Sequence, residues 1–329
     1  MHAGLKITAF AAALAATFGT AYGVGQGIGP VVDDEPPARH DAHPGGSDSG
    51  HSGDSGHSGH SGHESPPAGG LQISENGYTL DLRTPRITAG RTADLRFVVR
   101  GEDGRAVTAF RREHNKELHL IVASRDLTTY RHLHPRRAAD GTWSIPVSLP
   151  RAGGYRVFAD FTPGKMGAEK RSAENLTLGA DLAVSGTYTP RILPAPRTTA
   201  TTDGYEVKLG GALRPGAARE LKLTVSRGGR PVTDLQPYLG AYGHLVALRS
   251  GDLAYLHVHP NGEPGDGTTA AGPDISFTAT APSSGTYRLF LDFKHGGEVH
   301  TAAFTVRAGG AAAAPVAGAP HESSAGHRH

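Results

Sequence analysis

One segment of this chain is written twice. Glu117-Leu118-His119-Leu120-Ile121-Val122 leads to Tyr130-Arg131-His132-Leu133-His134-Pro135, and Gly243-His244-Leu245-Val246-Ala247-Leu248 leads to Tyr255-Leu256-His257-Val258-His259-Pro260. Every histidine of the first copy maps onto one in the second at an offset of 125 residues. The flanks repeat as well. Asn76-Gly77-Tyr78 returns as Asp203-Gly204-Tyr205, Gly104-Arg105-Ala106-Val107-Thr108 as Gly229-Arg230-Pro231-Val232-Thr233, and Tyr155-Arg156-Val157-Phe158-Ala159-Asp160-Phe161 as Tyr287-Arg288-Leu289-Phe290-Leu291-Asp292-Phe293. Whatever fold the chain adopts, it has to adopt it twice.

The spacing within each copy is that of strands. Leu95, Phe97 and Val99 alternate with other residues, as do Leu221, Leu223 and Val225. Period-two runs of this kind, about seven to a module and separated by Gly/Pro/Asp turns, predict an antiparallel β-sandwich. Pro150 to Tyr155 and Pro282 to Tyr287 both read Pro-x-x-Gly-x-Tyr. A tyrosine opening a late strand after a glycine turn resembles the tyrosine corner of immunoglobulin-like domains. Val157 and Leu289 stand where antibody-type domains have a cysteine. The resemblance therefore implies the architecture and not the antibody group.

The chain has 329 residues, no cysteine, and a net charge of +2 with neutral histidines. Disulfides, thiolate metal sites and cysteine nucleophiles are thereby excluded. Basic residues form no stripe, which speaks against a nucleic-acid partner. From Ile7 to Val32 there is no charged residue, and Lys6 precedes the run. Residues 1–32 read as either a cleaved signal peptide or a membrane-anchoring helix, with Gly19-Thr20-Ala21 as a cleavage site, and both put the remainder outside the cytoplasm. Residues 33–70 form a His/Gly/Ser tether too poor in apolar side chains to order, and 309–329 form a second disordered tail. The expected organisation is all-β: a first sandwich over 71–189, a linker over 190–200, and a second sandwich over 201–308.

Histidine is a titratable, metal-ligating side chain, and each copy sets one thirteen residues before a His-x-His-Pro. Alternate residues of a strand share a face, so His132 and His134 point together, as do His257 and His259. In the second copy Ser250-Gly251-Asp252-Leu253 reads as a two-residue hairpin, which sets His244 opposite His259. In the first, Arg125-Asp126-Leu127-Thr128 reads as a four-residue loop, which sets His119 opposite His134. Paired numbers then sum to 253 and 503. A slip of one residue would send the lone histidine to the other face. The expected metal ligands are His119, His132 and His134 in one module and His244, His257 and His259 in the other. Asp160 and Asp292 would support them, with His295 and His300 nearby. A structural reading competes, in which these histidines are buried and bonded to Asp160, Asp292, Tyr130 or Tyr255. In the tether, His51, His57, His60 and His63 suit loose metal binding.

Lys116-Glu117-Leu118-His119 through His132-Leu133-His134-Pro135 is similar to the repeated core of bacterial exported proteins labelled heavy-metal-binding, near copper-handling sandwich families. The resemblance implies a divalent or copper ion, copper ahead of zinc, and another exported metal-handling protein as partner. The soft ligand Met166 would point the same way. His257-Val258-His259-Pro260-Asn261-Gly262-Glu263 fits the cupin His-x-His-x3-Glu, but the first copy lacks the glutamate and neither supplies cupin's second motif. No nucleophile triad, phosphate loop or deaminase motif is present. The expectation is a non-enzymatic, extracytoplasmic metal-binding protein that buffers or delivers its ion and meets the membrane only through its N-terminal segment. The alternative is a surface stalk or partner-binding module with structural histidines.

Overall fold

The strands expected from period-two patterning form in both copies. The structure is a computed structural model that describes residues 68–164, 174–256 and 258–309, without the side chain of His259. The N-terminal segment, the tether histidines His51, His57, His60 and His63, Met166, His257 and the tail lie outside the described residues. Among the described residues there is no helix long and apolar enough to cross a membrane.

The first module contains β1 (Ser74–Glu75), β2 (Tyr78–Leu82), β3 (Arg86–Thr88), β4 (Thr92–Arg100), β5 (Phe110–Arg111), β6 (His119–Ser124), β7 (Tyr130–Leu133), β8 (Arg136–Arg137), β9 (Thr142–Ser148), β10 (Gly153–Pro163) and β11 (Leu176–Ser185). One sheet runs β1-β2-β4-β9-β8 and the other β3-β11-β10-β6-β7, with β5 added on β10. The pairing of β3 with β11 is parallel. The second module contains β12 (Thr199–Thr202), β13 (Tyr205–Gly210), β14 (Arg219–Arg227), β15 (Arg230–Pro231), β16 (Gly243–Arg249), β17 (Tyr255–Leu256), β18 (His259–Pro260), β19 (Asp274–Ala279), β20 (Gly285–His295) and β21 (Glu298–Ala308). Its sheets run β12-β13-β14-β19-β18, with β15 on β14, and β17-β16-β20-β21.

Each sandwich closes on its own core. In the first, Leu95, Phe97 and Val99 of β4 meet Leu120 and Val122 of β6 and Val157, Ala159 and Phe161 of β10. In the second, Leu221, Leu223 and Val225 meet Leu245, Leu289, Leu291 and Phe293. The tyrosine corners form as read. The Tyr155 hydroxyl donates to the Arg151 carbonyl at 2.9 Å and the Tyr287 hydroxyl to the Ser283 carbonyl at 2.8 Å.

A third cluster joins the modules. Every residue of β6 is buried, as expected of a strand covered on both faces. Its outward residues Ile121 and Ala123, with Tyr130 and Phe158, pack against Val246, Leu248, Tyr255 and Phe290 of the second module. The Tyr130 and Phe290 rings stack 4.1 Å apart. The two His-bearing sheets therefore lie face to face.

The last residues of the stretch read as tether are held at this seam. Gly69 exchanges two backbone hydrogen bonds with Tyr255, Gly70 N–H donates to Thr177, and the buried Arg156 guanidinium donates to the Gly70 and Leu71 carbonyls. Gly70 has φ +73° and a Cβ there would lie 2.4 Å from the Phe158 ring, so glycine is required.

Candidate metal centre

The hairpin registers place the histidines. Leu120 pairs with Leu133 and Ala123 with Tyr130, so the numbers sum to 253 as expected. Ala247 pairs with Leu256 and Leu248 with Tyr255, giving 503. The second turn differs from the two-residue loop expected. Arg249 N–H donates to Ala254 O, closing four residues, and Leu253 takes positive φ at 64°. Both turns thus enclose four residues, since Ser124 N–H donates to Thr129 O in the first.

In the first module the ladder ends at Leu133, and His134-Pro135 forms the corner where the chain crosses to β8 in the other sheet. His119, His132 and His134 share the outward face. One ring nitrogen of each lies within 4.8 Å of the others. Ring centroids are 5.3 Å apart for His119–His132, 5.2 Å for His119–His134 and 4.8 Å for His132–His134. Three imidazoles on one tetrahedral ion with bonds of roughly 2.0–2.1 Å would have centroids about 5.2 Å apart.

Hydrogen bonding fixes the tautomers. His119 Nε2 lies 3.2 Å from the Glu113 carbonyl, which can only accept, so Nε2 carries the proton and Nδ1 a lone pair. His132 Nδ1 lies 2.9 Å from Asp292 Oδ2, so its proton sits on Nδ1 when the carboxylate is ionised. Yet His119 Nδ1 and His132 Nε2 face each other at 3.1 Å. That separation lets one proton or one shared cation sit between the two nitrogens. The nitrogen–nitrogen edge of a tetrahedral site with such bonds is about 3.3 Å. His134 Nε2 is buried and has no hydrogen-bond partner.

Burial favours the neutral form of His119, His134 and His244. Burial, reinforced by His132, lowers the His119 pKa to about 4, burial lowers His134 to about 2, and burial lowers His244 to about 3. Neutral imidazole is the ligating form. Burial, with the Asp292 charge, also holds the Tyr130 hydroxyl well above the usual phenol range, and burial with Asp160 does so for Tyr255. Both phenols therefore remain donors, and they donate crosswise: Tyr130 of the first module to Asp292 at 3.3 Å, Tyr255 of the second to Asp160 at 3.1 Å.

Four expectations change. The two histidine sets were expected as separate sites, one per module. Instead His244 lies with the first set, its ring 6.1 Å from His119 and 6.0 Å from His132, because the sheets that carry them face each other. Asp292 lies against His132 of the other module. The backbone of His259 pairs with Thr278 in the opposite sheet, so the direct opposition to His244 does not form. His295 and His300 turn the other way from Asp292. Asp292 pairs with Thr301, which leaves His300 on the core face beside Tyr205 and Phe293 and bonded to Asp203, while His295 bonds Tyr205 and Asp234.

Sequence reading overlooked His114, whose ring lies 4.9 Å from His244 and 5.9 Å from His119. It has no histidine counterpart, the matching residue being Leu239, so a search for repeated histidines passes over it. Its positive φ of 50°, matched by 54° at Leu239, belongs to a tight turn that both modules build before their His strand.

No curated protein matches the chain. Among solved structures it is similar to the Escherichia coli adhesin FdeC, at 15% identity over 72% of this chain and 65% of that one, with a TM-score of 0.22. It is also similar to Salmonella alpha-2-macroglobulin reacted with methylamine, at 14% identity over 74% of this chain and 15% of that one, with a TM-score of 0.24. Yersinia pseudotuberculosis InvD matches at 12% identity over 75% of this chain and 62% of its own, with a TM-score of 0.24. The chain spans less than two thirds of each of these proteins, and at such TM-scores the likeness carries no argument about function. The family model described as "Domain of unknown function (DUF8832)" matches residues 73–173 and 200–310, one sandwich each, and the chain belongs to that family.

Proposed function

We propose that this is an extracytoplasmic, non-enzymatic protein that binds one transition-metal ion through His119, His132 and His134. The supporting observation is the 3.1 Å approach of His119 Nδ1 and His132 Nε2, the other nitrogen of each ring lying against an outside acceptor, the Glu113 carbonyl and the Asp292 carboxylate. Metal-ligating histidines commonly donate their other N–H to a carbonyl or carboxylate in this way. An all-nitrogen donor set suits Cu(II) or Zn(II) and not Ca(II) or Mg(II), and Cu(II) binds such sites more tightly. The uncharged N-terminal run supports export. Its role would be to hold or hand on the ion, with an exported metal-handling protein as recipient.

A second reading has an observation of its own. A proton on His132, flanked by Asp292 at 2.9 Å, would let Nε2–H donate to His119 and make the cluster a structural seam in a partner-binding module. Titration of the chain with Zn(II) and Cu(II) at pH 7.5, followed calorimetrically, separates the two. A tight one-equivalent step that His134→Ala removes supports the metal reading. Weak tether-type uptake alone, unchanged in His134→Ala, leaves the structural one.

A further inference from the structure

The triad offers three nitrogens, and a tetrahedral ion takes four ligands. Facing the triad from the second module is His244, on the middle strand β16. It is buried at 7% exposure, and its Nε2 lies 2.9 Å from the Tyr238 carbonyl. That carbonyl accepts the ring's proton, so Nδ1 carries the lone pair. The arrangement copies His119 and Glu113 at the same six-residue separation. His244 is therefore in a ligand-ready tautomer, fixed by its own module, and it approaches two of the three triad rings at 6.0–6.1 Å. A shared tetrahedral ion would bring these centroids to about 5.2 Å, a closure of under 1 Å toward His119 and toward His132. His114 lies beside His244 but approaches the triad at His119, 5.9 Å away.

We propose that His244 closes the site as a fourth nitrogen ligand, so that each chain holds one ion gripped by both modules at once. This rests on the metal reading of the triad. The ion then sits in a closed four-nitrogen site of the structural type, and it staples the two sandwiches at the seam where their sheets already meet. Metal occupancy and docking of the modules become one equilibrium: undocking removes a ligand, and removing the ion loosens the seam. The Asp292 carboxylate, on β20 beside β16, reinforces the link by accepting the outer N–H of His132.

The test is chelator-competition binding of Zn(II) to the full chain and to His134→Gln, His244→Gln and His257→Gln/His259→Gln variants, with X-ray absorption on the zinc-loaded wild type. The expected result is one tight equivalent in the wild type with four imidazoles in its scattering pattern. His134→Gln should lose it. His244→Gln should keep one equivalent but bind at least about tenfold more weakly, the scale on which even an outer-shell partner counts. The double variant should still bind one. Wild-type affinity in His244→Gln, or three imidazoles around zinc in the wild type, overturns the proposal while leaving the triad reading intact. Two tight equivalents, one removed by the double variant, overturn the sharing of a single ion. Absence of any tight equivalent in the wild type overturns both readings. The absorption measurement needs no variant, so misfolding of a mutant cannot mask the answer.

Discussion

Removing the Asp292 carboxylate should cost more than any surface charge and should reverse the effect of a second mutation. Asp292 is 2% exposed and accepts from three groups: Tyr130 Oη at 3.3 Å, His132 Nδ1 at 2.9 Å and Thr301 Oγ1 at 2.6 Å. Asp292→Ala orphans all three. Thr301 is exposed and turns to water, whereas Tyr130 is 8% exposed and the His132 side chain 6%. Each buried donor left without a partner costs about 1–3 kcal/mol, and the long Tyr130 bond belongs at the low end. The expected loss is about 3–4 kcal/mol. Tyr130→Phe in the wild type removes one hydroxyl and its bond, about 0.5–1.5 kcal/mol. In the Asp292→Ala background the same change removes an orphaned hydroxyl, so it should be neutral or stabilising.

Urea unfolding of the four proteins in chelator measures this double-mutant cycle. Far-UV circular dichroism reports both modules. The fluorescence of Trp143, the only tryptophan, reports the first, where the indole stacks on Phe97 at 6.2 Å. A cost below about 1 kcal/mol for Asp292→Ala, or an equal cost of Tyr130→Phe in both backgrounds, would refute the claim that a carboxylate of one module is satisfied by donors of the other.

The metal-free protein should lose stability in mild acid. His119 and His244 have folded pKa values of about 4 and about 3, below the unfolded value of about 6.5, so their contribution is complete above pH 6.5 and is lost as pH falls toward the folded values. At pH 5 the loss is about 2 kcal/mol per imidazole, and urea midpoints flat between pH 7 and pH 5 would contradict it. Tyr155→Phe and Tyr287→Phe should each cost about 1 kcal/mol and should add, since each corner bond is internal to its own module; a double variant far from the sum would show that the corners are coupled. A Cβ at Gly179 would lie 2.0 Å from the Gly70 carbonyl and 2.6 Å from Arg156 Nε, so Gly179→Ala should displace the segment around Gly70. Faster proteolysis near residues 68–72 with unchanged cleavage elsewhere is the expected readout.

Much of each module was legible because its signals are local. The alternation at Leu95, Phe97 and Val99 comes from pleat geometry, and Tyr155 and Tyr287 bond to carbonyls four residues upstream. The hairpin register survived a misread turn because strand pairing is set by both faces of β16 and not by the loop alone. How the modules meet was not legible. Leu118, Leu120 and Val122 mark a core face, but Ile121 and Ala123 between them mark only that the other face is also covered. A sequence does not say by what. The cross-module approach of His244 to His119 and His132, and of Asp292 to His132, follows from that packing. His114 was passed over for a related reason: it belongs to the seam, and the seam is where the copies differ.

The charges at the seam bear on which cation belongs there. Asp160 and Asp292 are 6% and 2% exposed, and a buried phenol of the other module donates to each. A carboxylate charge in a buried interface is costly unless compensated nearby. A dication bound as proposed at the triad would offset such charge through rings whose outer nitrogens lie against Asp292 and the Glu113 carbonyl. Two like sheets packed face to face bring His244 of one copy beside His119 and His132 of the other. The copies differ at this seam, where His114 of the first stands against Leu239 of the second.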